Sequence, residues 1–332
     1  MSRIRPSLAR GVDLALEGTV VLSFSRVGYA LRSTVEGWED VTALAGTGRR
    51  VLVTGANSGL GYATARAILA ADGQACITVR TEEKGEQTLS ALAHDLGRHI
   101  GEIRELASYD LLDLAELSSV HGFAQRWLDR GERLDAIVHN AGALFADREE
   151  TVDGLERTYQ IHVVAPFLLT SLLLPTLIAD APSRVISVTS GGMYAEPLDV
   201  TRVDSPTDYR GTVAYARAKR AQVTLTRQWA RRFGGRGVGF HAAHPGWALT
   251  PGVESSLPGF RRLTGPILRD ASQGADTIAW LALTPEVLED GRLWHDRRPR
   301  LEHKVPWTRT DPAEAERLWD RVCRDAGTDP HV

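Results

Sequence analysis

Cysteine is nearly missing from this chain, with Cys76 and Cys323 the only two. Two thiols cannot build a disulfide framework, so a reducing, cytoplasmic compartment is expected. Cys76 lies in the apolar run Ala75–Val79 and reads as a core residue. An excess of charge is lacking too: 39 basic and 42 acidic residues leave a net charge of −3 and a pI near 6.4. No global attraction to nucleic acid follows from that balance. The pairs Arg231-Arg232, Arg261-Arg262 and Arg297-Arg298 read as solvated faces. No stretch of some 18 uncharged apolar residues is counted, so no membrane span is predicted. Arg3, Arg5 and Arg10 imitate the basic region of a signal peptide, but Asp13 and Glu17 interrupt what would be its apolar core. Internal repeats, low-complexity segments and metal-ligand clusters are not found either. What remains, 43% hydrophobic and 24% charged residues, suits one large α/β domain.

From Arg50 onward short apolar runs alternate with longer helical periods. The runs predict strands at 50–54, 75–79, 102–106, 135–138, 184–188, 238–242 and 291–294, with helices at about 60–71, 82–96, 115–129, 152–178, 212–233 and 272–283. The alternation predicts a doubly wound, mainly parallel sheet covered on both faces. Residues 49–330 are read as a single catalytic domain and 1–48 as a helical extension. In that extension Val20, Phe24, Val27, Leu31, Val35 and Trp38 recur at steps of three or four, an amphipathic stripe weakened by Gly28. Packing on its own domain, oligomer contact and membrane-surface docking all remain open for it. Five acids against two arginines within 12–41 disfavour anionic lipid.

The run Thr54-Gly-Ala-Asn-Ser-Gly-Leu-Gly61 follows the first strand and opens a helix, the context that a phosphate cradle requires. Gly55 allows the tight turn, Gly59 lets backbone approach a pyrophosphate, and Gly61 lets helix pack on strand. Asn57, Ser58 and Leu60 belong to the same turn. At the end of the second strand stands Arg80, with no acid until Glu82. A guanidinium pairs with a 2′-phosphate that an acid would repel, so NADP(H) is favoured over NAD(H), unless Arg80 is merely solvated. Asp113, after the third strand, is placed to contact adenine, and Asn140, after the fourth, to line the cofactor's inner edge. Either residue could also be an ordinary strand-end turn residue.

Tyr215 and Lys219 share a helix face, being four residues apart, and Ser190 lies just past the fifth strand. Open α/β sheets bind ligands at that carboxyl edge. A phenol titrates near 10, and a nearby ammonium lowers that value toward working pH. The roles that follow are Ser190 bonding the substrate oxygen, Tyr215 moving its proton, and Lys219 tuning the phenol and holding the nicotinamide ribose.

These residues resemble the short-chain dehydrogenase/reductase family: TGANSGLG, HNAG at 139–142, Ser190, Tyr215-x-x-x-Lys219 and HPGWALT at 244–250 stand in that family's order. TSGGM at 189–193, AYARAKRAQV at 214–223, HPGWALTPGV at 244–253 and QGADTIAWLAL at 273–283 are similar to its member-twelve subfamily, a relative of the retinol dehydrogenases. The resemblance implies a seven-stranded Rossmann-type sheet, and dimers or tetramers through the long helices. It also implies Ser190, Tyr215 and Lys219 as catalytic residues, and cofactor contacts from Asn140, Ala141, Gly142, Pro245 and Gly246. A segment at about 247–270, carrying Trp247, Leu249, Val253, Leu257, Phe260, Leu263 and Ile267, would then cover an apolar alcohol or carbonyl substrate or serve only packing. One position departs from the family. His162 stands where an asparagine is usual, as a proton shuttle near neutral pH or as a satisfied core histidine whose backbone carbonyl serves a water. The sequence thus reads as a soluble NADP(H)-dependent carbonyl reductase or alcohol dehydrogenase. The rival reading is a nucleotide-binding regulatory or scaffold protein of the same fold.

Overall fold

The structure, a computed structural model, describes residues 6–44, 48–249 and 265–329. Three short helices come first: α1 (Pro6–Glu17), α2 (Val20–Phe24) and α3 (Arg26–Glu36). The sheet and its crossovers follow as β1 (Arg50–Thr54), α4 (Gly59–Ala70), β2 (Gln74–Val79), α5 (Glu82–Leu96), α6 (Ile100–Leu106), β3 (Ala107–Leu111), α7 (Leu117–Arg130) and β4 (Ala136–His139). Next are α8 (Arg157–Ala179), β5 (Ser183–Val188), α9 (Gly211–Phe233), β6 (Val238–Ala243), α10 (Ala271–Leu283), β7 (Arg292–His295), β8 (Arg298–Arg300) and α11 (Pro312–Ala326). Strand order is β3-β2-β1-β4-β5-β6-β7-β8. The first seven pair in parallel, and β8 pairs antiparallel with β7. Order reverses between β1 and β4, which opens a crevice at their carboxyl ends.

One sheet face packs on α4, α5 and α10 through Val51, Val53, Ile68, Ile77 and Ile278. The other packs on α7, α8 and α9 through Leu52, Phe123, Ile137, Leu168 and Leu225. Strands covered on both faces carry unbroken apolar runs, which made most of them visible in the sequence.

Two expectations about the sheet need correction. The sheet has eight strands, not seven, because a two-residue turn at Asp296-Arg297 sends the chain back as β8. Both turn residues have positive φ (54° and 53°), as the tight hairpin geometry requires. Residues 102–106 lie in helix α6, started by the His99 ring accepting the Gly101 N–H at 3.1 Å. The third strand is 107–111, an edge strand whose sequence Ala-Ser-Tyr-Asp-Leu is half exposed and gives little apolar signal.

An apolar stretch long enough to cross a membrane does exist by composition. Helix α8 holds an 18-residue window of mean hydropathy 2.0, 72% buried inside the fold. It is apolar round most of its girth because protein covers most of it. Phe167 meets Trp229 of α9 at 4.8 Å and Trp319 of α11 at 4.9 Å between ring centroids. The sequence reading missed α11, which covers α8 and α9 with Leu318, Trp319, Val322 and Cys323, all buried. Both long helices thus carry α11 on part of their surface.

In the extension, the apolar stripe does not face inward as a unit. Extended backbone at Thr19 and Ser25 separates the three helices, and Phe24 is buried at 2% exposure while Val20, Val27 and Leu31 stand above 40%. The buried face is instead Ser23, Phe24, Gly28 and Arg32. A Cβ on Gly28 would lie 2.3 Å from the Leu22 carbonyl oxygen, so the glycine lets α3 cross α2 closely.

Candidate active site

A cleft of about 680 Å³ runs along the carboxyl edge of the sheet. It is lined by Gly55, Asn57, Ser58, Gly59 and Leu60 from the first turn, by Arg80 and Asp113, and by Asn140, Ala141 and Gly142 after β4. Ser190, Tyr215, Lys219, Pro245 and Gly246 line its other end. Sequence reasoning thus named residues that seven separate chain segments bring to one cavity. Gly61 and His162 lie behind the lining. The N-terminus of α4 opens into the cleft, and no side chain caps it. Its first N–H groups are free to meet an anion.

The glycine turn is fixed from beneath. Gly55 (φ +65°) packs so closely that a Cβ would lie 2.8 Å from Ala141 Cα, and a Cβ on Gly61 would lie 2.4 Å from Asn140 Nδ2. Asn140 donates through that Nδ2 to the Thr54 and Gly55 carbonyls at 3.0 and 3.3 Å. Thr54 Oγ1 accepts from the backbone N–H groups of Asn140 and Ala141 at 3.0 Å each. Asn140 therefore ties β4 to the turn as well as bordering the cleft. The shape fits a dinucleotide: an uncapped helix start, left-handed Gly59 (φ +57°) and a long trough toward Tyr215. When bound, such a cofactor supplies a hydride donor or acceptor.

At the reactive end, Ser190 stands beside Tyr215 closely enough to pull against the rise of its phenol, and the Tyr215 ring lies 5.3 Å from Lys219 Nζ. Lys219 is buried and donates to the Val188 carbonyl at 2.9 Å. Thr189 Oγ1 donates to the Lys219 carbonyl at 3.2 Å, which ties α9 to the end of β5. The electrostatics differ from the sequence expectation. Burial pushes the Tyr215 phenol up to about 12, against the lowering that Ser190 supplies. Burial lowers Lys219 to about 7. The lysine faces Val188 rather than the phenolic oxygen, so desolvation outweighs its charge at the tyrosine.

His162 sits in a π-turn at Gln160–Val164, where the Ala165 N–H reaches back to the Gln160 carbonyl. Its Nδ1 lies 2.8 Å from the Thr158 carbonyl oxygen, which can only accept, so Nδ1 carries the proton. Nε2 is left as a bare acceptor without a partner. It points at Gly142, where a Cβ would come within 2.5 Å, and the ring meets Tyr215 edge-on at 5.2 Å. Burial, then the Lys219 charge, push this imidazole down to about 3 despite the Thr158 bond. A shuttle near neutral pH does not fit a ring held neutral. Nor is its carbonyl wholly open, because Gln222 Nε2 donates to it at 2.7 Å.

Sequence reasoning missed Lys84, Thr189, Gly191 and Thr212 in the lining. Lys84 had a signal: it stands four residues past Arg80 in the first turn of α5, on the same strand-end corner. Of the apolar residues placed over the substrate, Trp247 lines the cleft and Leu249 is 37% exposed. Ile267 lies in a short turn of helix at Gly265–Ile267, while Val253, Leu257, Phe260 and Leu263 lie outside the described residues.

Comparison with known proteins agrees with this geometry. The short chain dehydrogenase family model matches residues 49–258. The chain is 37% identical over 276 residues to dehydrogenase/reductase SDR family member 12 of Bos taurus, covering 82% of this chain and 84% of that protein. It is 31% identical over 325 residues to retinol dehydrogenase 14 of Mus musculus, covering 95% and 96%. Among solved structures, an uncharacterized protein from Mycobacterium paratuberculosis superposes with a TM-score of 0.67 at 26% identity, covering 86% of this chain and 95% of that one. The chain belongs to the short-chain dehydrogenase/reductase family of oxidoreductases, in the neighbourhood of the retinol dehydrogenases.

Proposed function

We propose that this oxidoreductase is NADP(H)-dependent and interconverts apolar alcohols and carbonyl compounds. One observation carries the reading: Ser190, Tyr215 and Lys219 meet at one end of the same cleft whose other end is the uncapped glycine turn. Ser190 and Tyr215 would hold the substrate oxygen between their hydroxyls, with Tyr215 giving its proton in reduction and taking it in oxidation. Lys219, titrating near 7, supplies a charge that responds to what binds beside it. His162 presents Nε2 as a neutral acceptor behind Tyr215 and keeps that end of the cleft from collapsing onto Gly142.

The cofactor preference rests on the strand-end corner. Arg80 and Lys84 both border the cleft there, two cations where a 2′-phosphate would lie. The apolar substrate class rests on Leu144, Phe145, Ile161 and Trp247 in the lining.

Replacing Tyr215 by Phe tests the assignment. Turnover of an aldehyde and ketone panel is expected to fall by about 100- to 10,000-fold, while NADPH titration by fluorescence stays unchanged. Retained turnover would remove Tyr215 from the chemistry. Wild-type NADPH binding with no turnover on any carbonyl would favour a regulatory role for the cleft.

A further inference from the structure

We infer that the N-terminal segment belongs to the active site, with Phe24 as the positioning residue that sets the substrate wall beside Gly191 and Trp247; this deepens the carbonyl-reductase reading and rests on it. Phe24 ends α2 and is 2% exposed. Its ring stacks on His244 at 4.3 Å and 29°, and meets His295 edge-on at 5.1 Å and Trp247 edge-on at 6.1 Å. A Cβ built on Gly191 would lie 3.8 Å from both Phe24 Cε2 and Trp247 Nε1. Gly191 and Trp247 line the cleft next to Ser190, and behind them stand His244, whose Nε2 lies 3.2 Å from a Cβ built on Gly191, and the Phe24 ring stacked on it.

The backbone of α2 anchors the same wall. The Phe24 carbonyl accepts the Trp247 N–H at 2.8 Å and Arg269 Nε at 3.1 Å. The Ser25 and Ser23 carbonyls accept from Arg269 Nε and Nη2 at 3.2 and 3.0 Å. Arg269 in turn exchanges backbone bonds with Trp247 and Leu249, each at 2.8 Å. The chain leaving the cleft at Trp247 and returning at Arg269 is thus tied at both points to the last turn of α2.

This clamp is held by charge buried far from water. Arg32 of α3 donates to Asp13 at 2.8 Å and to Asp296 at 2.6 Å, and Arg269 donates to the other Asp296 oxygen at 2.6 Å. Arg300 closes the cluster on Asp13 with two bonds of 2.8 Å. Such an investment in buried, fully paired charge is costly to assemble and holds one arrangement. It explains why a segment outside the sheet reaches the reacting end at all: α2 presents an aromatic ring and three carbonyls at a fixed depth behind Ser190.

The test is Phe24→Leu and Phe24→Ala in the full-length chain. NADPH affinity is expected to stay within twofold, while the ratio of kcat/KM for a bulky aryl ketone over a short aliphatic aldehyde shifts by about tenfold. The change should fall in KM for the bulky substrate, with kcat for the small one kept. Hydrogen exchange provides a readout independent of turnover. Peptides spanning 189–194 and 244–249 should exchange faster in Phe24→Leu, and those spanning 50–61 should not. An unchanged selectivity ratio with unchanged exchange at 189–194 would overturn the inference. So would exchange that rises evenly across the sheet, which marks Phe24 as ordinary core. If the wild-type protein reduces no carbonyl, the functional reading fails by itself, and the exchange pattern still decides whether α2 holds the wall.

Discussion

The two flanks of the cleft are built by opposite means. On the nucleotide flank, β1, α4 and β4 make a site from backbone shape: left-handed glycines, an uncapped helix start and Asn140 tying neighbouring strands. On the far flank, α1–α3 and the β7–β8 hairpin are joined by side-chain charge, with Arg32 reaching Asp296 across 264 positions of sequence. The first flank can be specified by two short runs, 54–61 and 139–142. The second depends on partners that no local pattern announces, and a single missing partner leaves a charge buried alone. A phosphate site tolerates little variation in shape, whereas a positioning clamp must hold its depth against the whole fold.

Acid should break both flanks, with the largest effect. Burial holds His139, His162 and His241 down to about 3, and His295 to about 4. Between the ordinary histidine value of 6.5 and these values, the unfolded chain binds protons that the native state refuses. Stability is therefore lost as pH falls from 6.5 toward 4, by about 1.4 kcal/mol per pH unit for each such ring. Denaturant unfolding followed at pH 7.0, 6.0 and 5.0 measures this; a flat profile would mean that the rings are accessible in the native state.

Arg32→Met strikes the far flank alone. Burial by itself would raise the Asp296 carboxyl, and the His295, Arg269 and Arg32 charges together hold it below its usual range. Removing Arg32 should cost about 3–5 kcal/mol in thermal unfolding. A melting temperature equal to wild type would show that the clamp is peripheral, against the contrast drawn between the flanks.

Gly61→Ala strikes the nucleotide flank alone. Its Cβ would meet Asn140 Nδ2 at 2.4 Å and the Gly55 carbonyl oxygen at 2.5 Å. Overpacking should cost about 1–3 kcal/mol, and calorimetric NADPH affinity should drop while the Trp247 region keeps its hydrogen-exchange protection. Affinity equal to wild type would show that the turn has slack.

Arg80→Ala should be the most selective, leaving stability unchanged and touching one nucleotide only. Losing one charge-assisted contact of about 1.5–3 kcal/mol should weaken NADPH by about tenfold or more and leave NADH nearly unchanged. Equal weakening of both nucleotides would deny Arg80 a part in reading the 2′-phosphate.

The uneven legibility of the sequence follows from the same contrast. Strands covered twice advertise themselves as apolar runs, so β1, β2, β4, β5 and β6 stood out, while helix residues 102–106 were read as the third strand and the half-exposed edge strand β3 at 107–111 was passed over. The glycine turn, Ser190, Tyr215 and Lys219 were visible because local spacing carries their chemistry. The tuning of that chemistry was not visible. Tyr215 is raised to about 12 because burial wins over a lysine turned toward Val188, and the direction of an ammonium is not written in Tyr-x-x-x-Lys. His162 was legible as a departure, but its neutrality depends on complete burial beside Lys219. The covering helix α11 was missed because nothing local to the long helices reveals that Trp319 packs against Phe167 and Trp229.

By itself the sequence determined the doubly wound sheet, the dinucleotide turn and the order of the reactive residues, since periodicity and short-range geometry suffice for each. Tertiary structure alone decided which face of the N-terminal segment is buried, that Phe24 stands behind Gly191 and Trp247, and that Arg32, Arg269 and Asp296 share one dry nest. Spacing alone left the role of the apolar stripe open; in the fold Val20, Val27 and Leu31 face out while Phe24 and Arg32 are buried, because a buried guanidinium must be satisfied on every side and only the fold brings Asp13, Ser23 and Asp296 to it.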